Sequence, residues 1–338
     1  MQSNRLPKVG IVCGGGGDVG VAFAAGCLAA LADETGWDPR QAAAVVGTSA
    51  GSLAGTALRV GISADDYYAA MVGDPVSPAA ARRLTSDVLG SENDGLLPPL
   101  AEDALTNARL SGSGLVTTTA ARPHRARPIA LAAAIAPEGR FCHTFVRNKI
   151  VALAGEGEWP ESKLMITATR MDTGRRTVFT RDSEIRTDLP TAVAASCAIP
   201  SVFNPVTVDG IKFVDGGIQS STNADLLIRQ GLDAVIIISP LSCDSPFVRT
   251  RTGPMRTAMR AITTREQERL KAAGVRVLTF NPDLKTIQAM GLNIMDVGKR
   301  PSVAQASRAA AEQLLESEVA APVADLLRAR TNRTRLVG

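Results

Sequence analysis

Three short clusters in this 338-residue chain have residue types and spacing suited to covalent catalysis. The first is Gly47-Thr48-Ser49-Ala50-Gly51, which fits G-x-S-x-G, the turn that lifts a serine on a sharp strand-to-helix bend. Side chains two residues either side of the serine would collide as the chain reverses, so Gly47 and Gly51 are the residues the turn needs. A helix starting there points its N-terminus at Ser49 and favours negative charge developing on it.

The base that would activate Ser49 is not an obvious histidine. The common esterase triad runs serine, acid, histidine along the chain. Here there are two histidines, His124 and His143, and both precede every plausible late acid. A carboxylate is the remaining candidate, and two Asp-Gly pairs present one. Asp209-Gly210 lies between Val206-Thr207-Val208 and Ile211-Lys212-Phe213, which is a hairpin-turn signal and reads as structural. Asp215-Gly216-Gly217 follows the apolar strand end Phe213-Val214 and precedes Ser220 to Gln230, a segment with helical potential. An acid at a strand end, with Gly216 and Gly217 giving close access, suits a general base. A carboxyl that titrates near 3.9 in water is a feeble base towards a hydroxyl. Burial that raises its pKa would make it useful, provided Ser49 lies within hydrogen-bond reach.

The third cluster is Gly14-Gly15-Gly16-Gly17-Asp18-Val19-Gly20. Gly15, Gly17 and Gly20 formally fit the dinucleotide-binding G-x-G-x-x-G. That reading expects an acid at the end of the second strand to hold the ribose, but the second strand ends in Gly47-Thr48-Ser49, and Asp38 lies before it. Consecutive glycines also expose backbone N–H groups, and such a loop beside Ser49 could hold an oxyanion. Losing one donor of that kind typically costs about 3 kcal/mol of transition-state stabilisation.

The elements that must position these clusters are legible as a pattern. Val9 to Cys13 is an apolar strand, and a helix runs from Asp18 to about Glu34 with Gly36 as its stop. Ala42 to Val46 is a second strand, buried on both faces because it lacks alternation, and Ser52 to Val60 is helix-compatible. Strands alternating with helices predict a mostly parallel central sheet covered on both faces. Further strands are predicted at Leu164–Thr169, Thr177–Thr180, Val206–Val208, Ile211–Val214, Ala234–Ser239 and Val275–Phe280. Residues 61 to 150 look helical and irregular, with Ser63 capping a helix through Met71, another candidate helix at Pro98 to Ala108 and a loop from Leu110 to Arg127. Val303 to Arg330 has helical spacing, and 331–338 reads as a disordered tail. The catalytic candidates flank the middle segment, so the expectation is one domain over 5–330 with 61–150 as a cap insertion.

Composition narrows the function classes. Aromatics are 4% of the residues, which leaves little for base stacking, and no patterned basic helix resembles a nucleic-acid module. The net charge is +4, yet residues 109 to 150 hold seven Lys/Arg against the single acid Glu138. That stretch and a second from Arg249 to Arg276 are read as solvated surface, with attraction to anionic lipid head groups as the sharper alternative. Five cysteines without C-x-x-C spacing indicate free thiols in a reducing compartment. No signal segment is visible, and Ile129 to Pro137 is too short to span a bilayer. The expected location is cytoplasmic, with peripheral contact at the inner face of the membrane.

Taken in order, these motifs resemble the bacterial patatin-like phospholipases. The resemblance rests on the glycine loop, Gly47 to Gly51 about thirty residues later, and the late Asp215-Gly216-Gly217. Ala195-Ser196-Cys197-Ala198-Ile199-Pro200 with Phe203 and Pro205, and Asn223-Ala224-Asp225-Leu226, extend it to residues 8 to about 240. It implies a three-layer α/β/α sandwich with a helical cap, a Ser49–Asp215 dyad, an oxyanion loop at Gly15, Gly16 and Gly17, no metal or cofactor, and hydrolysis of fatty acyl esters of lipids. One departure stands out: the family usually carries Arg or Lys shortly after its glycines, whereas Asp18 and Val19 stand here and no basic residue lies between the glycines and Arg40. The departure motivates an alternative, a non-catalytic lipid-binding or regulatory protein on the same fold. A thioesterase or small-ester hydrolase is a third reading.

Overall fold

The computed structural model describes residues 5–90, 139, 141–245 and 250–337. Strand β1 (Val9–Cys13) leads through helix α1 (Gly17–Thr35) to β2 (Ala44–Thr48) and α2 (Ala50–Arg59). Three helices follow: α3 (Ala64–Val72), α4 (Pro78–Ala81) and α5 (Ser86–Leu89). Beyond segment 91–138 come α6 (Thr144–Ala154), β3 (Leu164–Arg170), β4 (Arg176–Phe179), α7 (Leu189–Ser196), β5 (Val206–Val208) and β6 (Ile211–Asp215). The chain then runs through β7 (Ala234–Ile238), α8 (Gly253–Ala272), β8 (Arg276–Phe280), α9 (Leu284–Met290), α10 (Arg300–Leu315) and α11 (Ala321–Val337).

The eight strands form one sheet in the order β5-β6-β3-β2-β1-β7-β8, with β4 on the other flank of β3. Strands β3, β2, β1, β7 and β8 pair in parallel, while β6 is antiparallel to β3 and β5 to β6. Alternate residues of the central strands enter different apolar cores. Val9, Ile11 and Cys13 of β1 pack with α1 residues, while Val12 packs with Ala224, Leu227 and Leu270 on the opposite face. These two cores make the three layers, since a period-2 strand sends successive side chains to opposite faces.

Register explains how the two candidate catalytic residues meet. Along β3, Ile166 pairs with Gly47 of β2 on one flank and Phe179 of β4 on the other. Two residues on, Ala168 pairs with Thr177 of β4 and with Asp215 of β6. Strand β4 therefore occupies one flank throughout, and β2 and β6 share the other, running in opposite directions and meeting end to end. Thr48 lies beside Thr167, and Asp215 lies beside the next residue, Ala168. The strand leading into Ser49 and the strand ending in Asp215 thus stop against each other.

Several local features follow their sequence signals. Gly36 ends α1 in the left-handed region (φ 65°) with its N–H on the Ala32 carbonyl. Ser63 caps α3 by accepting from the Asp66 N–H. Asp209 (φ 49°) and Gly210 (φ 74°) both have positive φ in the β5–β6 turn, as a two-residue type I′ hairpin requires.

Other expectations are corrected. The single helix expected over 303–330 is two helices, α10 and α11, broken at 316–320. Pro322 explains the break, because a proline lacking its N–H is tolerated only in a helix's first turn. Helix α11 also continues to Val337, across most of the tail expected to be disordered; Arg330 donates to the Pro7 carbonyl at 2.7 Å and lies over the Trp37 ring. Segment 220–230 forms only a short 3-10 turn, Ala224–Leu227, because Asn223 sits at φ 55° and its side chain is committed elsewhere. Helices α7 and α8 have no counterpart in the sequence reading. Within the arginine-rich α8, Arg256 is 1% exposed rather than solvated, and donates to the carbonyls of Pro240 (2.8 Å) and Ser242 (2.9 Å).

Of the expected cap, α3 packs on α1 and α10, and α6 packs on α7 and α2, so these parts belong to the body. The candidate helix 98–108, the loop 110–127, the apolar run 129–137, His124 and most of the basic stretch 109–150 lie outside the described residues. Among the described residues, no helix is long and apolar enough to cross a membrane.

Candidate active site

Ser49 occupies the bend between β2 and α2 with φ 53° and ψ −129°, a conformation that costs a non-glycine residue about 1–3 kcal/mol. Its surroundings enforce the bend. A Cβ on Gly51 would fall 1.9 Å from the Cys13 carbonyl oxygen, and one on Gly47 would fall 2.6 Å from the Ser52 Cα. The Ser49 N–H donates to Ser196 Oγ at 2.9 Å, and its carbonyl accepts from the Ser52 N–H at 2.7 Å and from Ser52 Oγ. Every backbone group of the nucleophile candidate is thereby engaged, and only its hydroxyl is left to act.

That hydroxyl donates to Asp215 Oδ2 at 2.6 Å. Ser49 and Asp215 are 7% and 6% exposed, so the pair is shielded from water. The other oxygen, Oδ1, accepts the Gly217 N–H at 2.7 Å, and the Asp215 N–H donates to the Ala198 carbonyl at 2.9 Å. Burial pushes the Asp215 carboxyl up from 3.8 to about 6, against the opposing pull of the Ser49 and Gly217 hydrogen bonds. Gly216 fits because a side chain there would strike the Thr167 carbonyl at 2.4 Å.

The glycine loop lies directly against this pair, with the Cβ position of Gly15 3.1 Å from Ser49 Cβ. One expectation changes here. The Gly15 N–H donates to the Ser221 carbonyl at 2.8 Å, as Gly14's does to Ile238, so neither is open to a ligand. The N–H groups of Gly16 and Gly17 have no partner among the described residues. Gly17, at φ 62°, could be no other residue: a Cβ would meet the Ile294 carbonyl oxygen at 2.5 Å.

Beneath the site runs a buried polar network. The Asn223 carboxamide nitrogen donates to Thr48 Oγ1 (3.0 Å), Thr167 Oγ1 (3.3 Å) and the Ser220 carbonyl (2.6 Å). Its oxygen accepts from Arg176, which also holds Asp225 through two bonds of 2.7 and 2.9 Å. Glu266 of α8, raised in pKa by burial, accepts from Thr222 Oγ1 and from the Ala224 N–H. Asn223 thus ties the residue before Ser49 to β3, and Thr167 in turn abuts Gly216. The sequence reading quoted Ser196 and Asn223 within motifs but assigned them no role. Buried Glu266 and half-buried Arg176 carry no signal in the sequence, since an ordinary charged residue does not announce its distant partner. His143 bonds Asn204 Oδ1 through its ring Nδ1 at 2.9 Å and takes no part in the Ser49 pair. No cluster of three metal-ligating side chains occurs among the described residues.

Comparison with known proteins places the chain in a family. The profile described as patatin-like phospholipase matches residues 11–228, spanning the glycine loop, Ser49 and Asp215. The chain belongs to the patatin-like phospholipase family. Among solved structures it is similar to VipD from Legionella pneumophila (16% identity, TM-score 0.45, 92% of this chain and 67% of that one). It is also similar to the type III effector protein ExoU (18% identity, TM-score 0.36, 97% of this chain and 54% of that one). No curated protein matches.

Proposed function

We propose that the protein is a lipid acyl hydrolase that cleaves fatty acyl ester bonds with Ser49 as nucleophile and Asp215 as general base. The observation that carries this reading is the 2.6 Å hydrogen bond from the Ser49 hydroxyl to a buried carboxyl raised to about 6. In the first half-reaction Ser49 Oγ attacks the ester carbonyl as its proton passes to Asp215 Oδ2, and that proton then leaves with the alcohol. In the second, Asp215 takes a proton from water, which attacks the acyl-enzyme and releases the fatty acid. The oxyanion of each tetrahedral intermediate is received by the open N–H groups of Gly16 and Gly17. The N-terminus of α2 adds its positive end at Ser49.

The test pairs turnover of p-nitrophenyl acyl esters of increasing chain length with labelling by a fluorophosphonate. Ser49→Ala is expected to abolish both, and Asp215→Asn to lower kcat by at least about a thousandfold while the protein stays folded. A wild type that is folded but neither turns over esters nor labels would overturn the reading. Turnover confined to the shortest esters would redirect it to a small-ester hydrolase.

A further inference from the structure

Asp18 sits one residue past the open amides of Gly16 and Gly17, in the first turn of α1, with its side chain only 17% exposed. A carboxylate in that place opposes an anion bound at those amides. Electrostatic influence reaches across this part of the protein: burial raises the Cys197 thiol, and Asp215 and Asp18 raise it further. Cys197 lies behind the nucleophile, with its Sγ 3.7 Å from Ser52 Oγ.

The partner of Asp18 comes from far along the chain. Arg300, the first residue of α10, directs Nη2 onto Asp18 Oδ1 and Nη1 onto the Leu89 carbonyl, with its own side chain 11% exposed. Its Nε–H is buried and has no partner among the described residues. The segment before it is anchored to the same loop: the Val19 N–H donates to the Ile294 carbonyl at 3.2 Å, and Gly17 packs against Ile294 and Met295. All of these C-terminal contacts lie beyond the family match at 11–228.

We propose that Arg300 is a positioning residue for the proposed reaction, the cation that cancels Asp18 and keeps the Gly16–Gly17 amides receptive to an oxyanion. The inference rests on the Ser49–Asp215 reading and assigns the C-terminal segment a part in the site. The competing account is a plain staple between α1 and α10, and charge arithmetic separates the two. Under the proposal, Arg300→Gln leaves a bare carboxylate beside the developing oxyanion. Its kcat falls by roughly tenfold or more with KM little changed, and fluorophosphonate labelling slows in step. Arg300→Lys keeps most of the activity. The double variant Asp18→Asn with Arg300→Gln removes both charges and recovers most of kcat despite lacking the ion pair.

The experiment measures kcat, KM, labelling rate and Tm for wild type, both single variants, the lysine variant and the double variant. Recovery in the double variant supports the proposal. A double variant no better than Arg300→Gln, or losses that follow Tm across the series, overturns it in favour of the staple. Should Arg300→Gln not fold, Asp18→Asn decides alone: it leaves the cation unopposed, so kcat rises under the proposal and falls under the staple. These outcomes are distinct from failure of the dyad itself, which shows as a wild type without turnover or labelling.

Discussion

At the residue scale, the proposed chemistry depends on a carboxyl whose pKa burial raises towards neutrality. Asp215 is raised to about 6, so below that pH it is protonated and, under the proposed mechanism, idle as a base. kcat/KM is expected to rise with pH through a single step near 6, and a profile flat from pH 5 to 8 would contradict a carboxylate base. The same shift has a thermodynamic sign. A carboxyl whose folded pKa lies above its unfolded value stabilises the fold fully below the unfolded pKa, near 3.9, and loses that contribution as pH rises through about 6. At pH 8 the buried carboxylate is therefore a liability of about 1–3 kcal/mol. Asp215→Asn is expected to raise Tm at pH 8 and to change it little at pH 4.5, as thermal melts at the two pH values will show. Loss of activity with gain of stability is the signature of a functional group held in a hostile environment.

At the scale of elements, the site is a junction where β2 and β6 stop against each other on one flank of β3. The bend after β2 is tolerated because glycines remove the side chains that would obstruct it. Gly51→Ala places a methyl 1.9 Å from the Cys13 carbonyl oxygen and must push β1 or α2 aside. The expected cost is at least about 3 kcal/mol, read as a lower Tm and reduced soluble yield. Gly61→Ala makes a useful contrast: its φ of +94° is unfavourable, but the added methyl meets open space. It should cost only about 1–2 kcal/mol. Equal effects at the two positions would mean that crowding at the bend is not what requires glycine.

On the scale of the whole molecule, thiol reactivity reports on how tightly the layers pack. Cys13, Cys27, Cys197 and Cys243 are buried, and burial pushes the Cys13 thiol up to about 12 and the Cys27 and Cys243 thiols up as well. Cys142 alone is partly exposed. A neutral alkylating reagent at pH 7.5 is expected to modify Cys142 in the folded protein and all five cysteines only after unfolding, as intact-mass spectrometry would show. Prompt modification of Cys13 or Cys27 would indicate that β1 and α1 open readily. The same scale shows why the C-terminal helices matter: α10 lies along α1 and brings Arg300 to the glycine loop, so the half that carries Ser49 and Asp215 packs directly on the C-terminal helices.

Sequence alone determined what local chemistry and periodicity determine. The strands β1, β2 and β7 are apolar runs, the Asp209-Gly210 turn has a backbone requirement few residues meet, and the G-x-S-x-G spacing demands a bend. Asp209 and Asp215 differ already in sequence context, since one Asp-Gly pair sits in a hairpin and the other ends a strand. Long-range pairing was not legible. That the Gly15 amide is spent on Ser221, that Ser196 holds the Ser49 amide, and that Asn223 and Glu266 brace the site all depend on residues 42 to 206 positions apart. Asp18 looked like a defect in the glycine loop until the fold brought Arg300 beside it, 282 residues away. A single chain's sequence encodes each residue's propensity directly, but which distant side chain satisfies a buried charge is decided only when the layers pack.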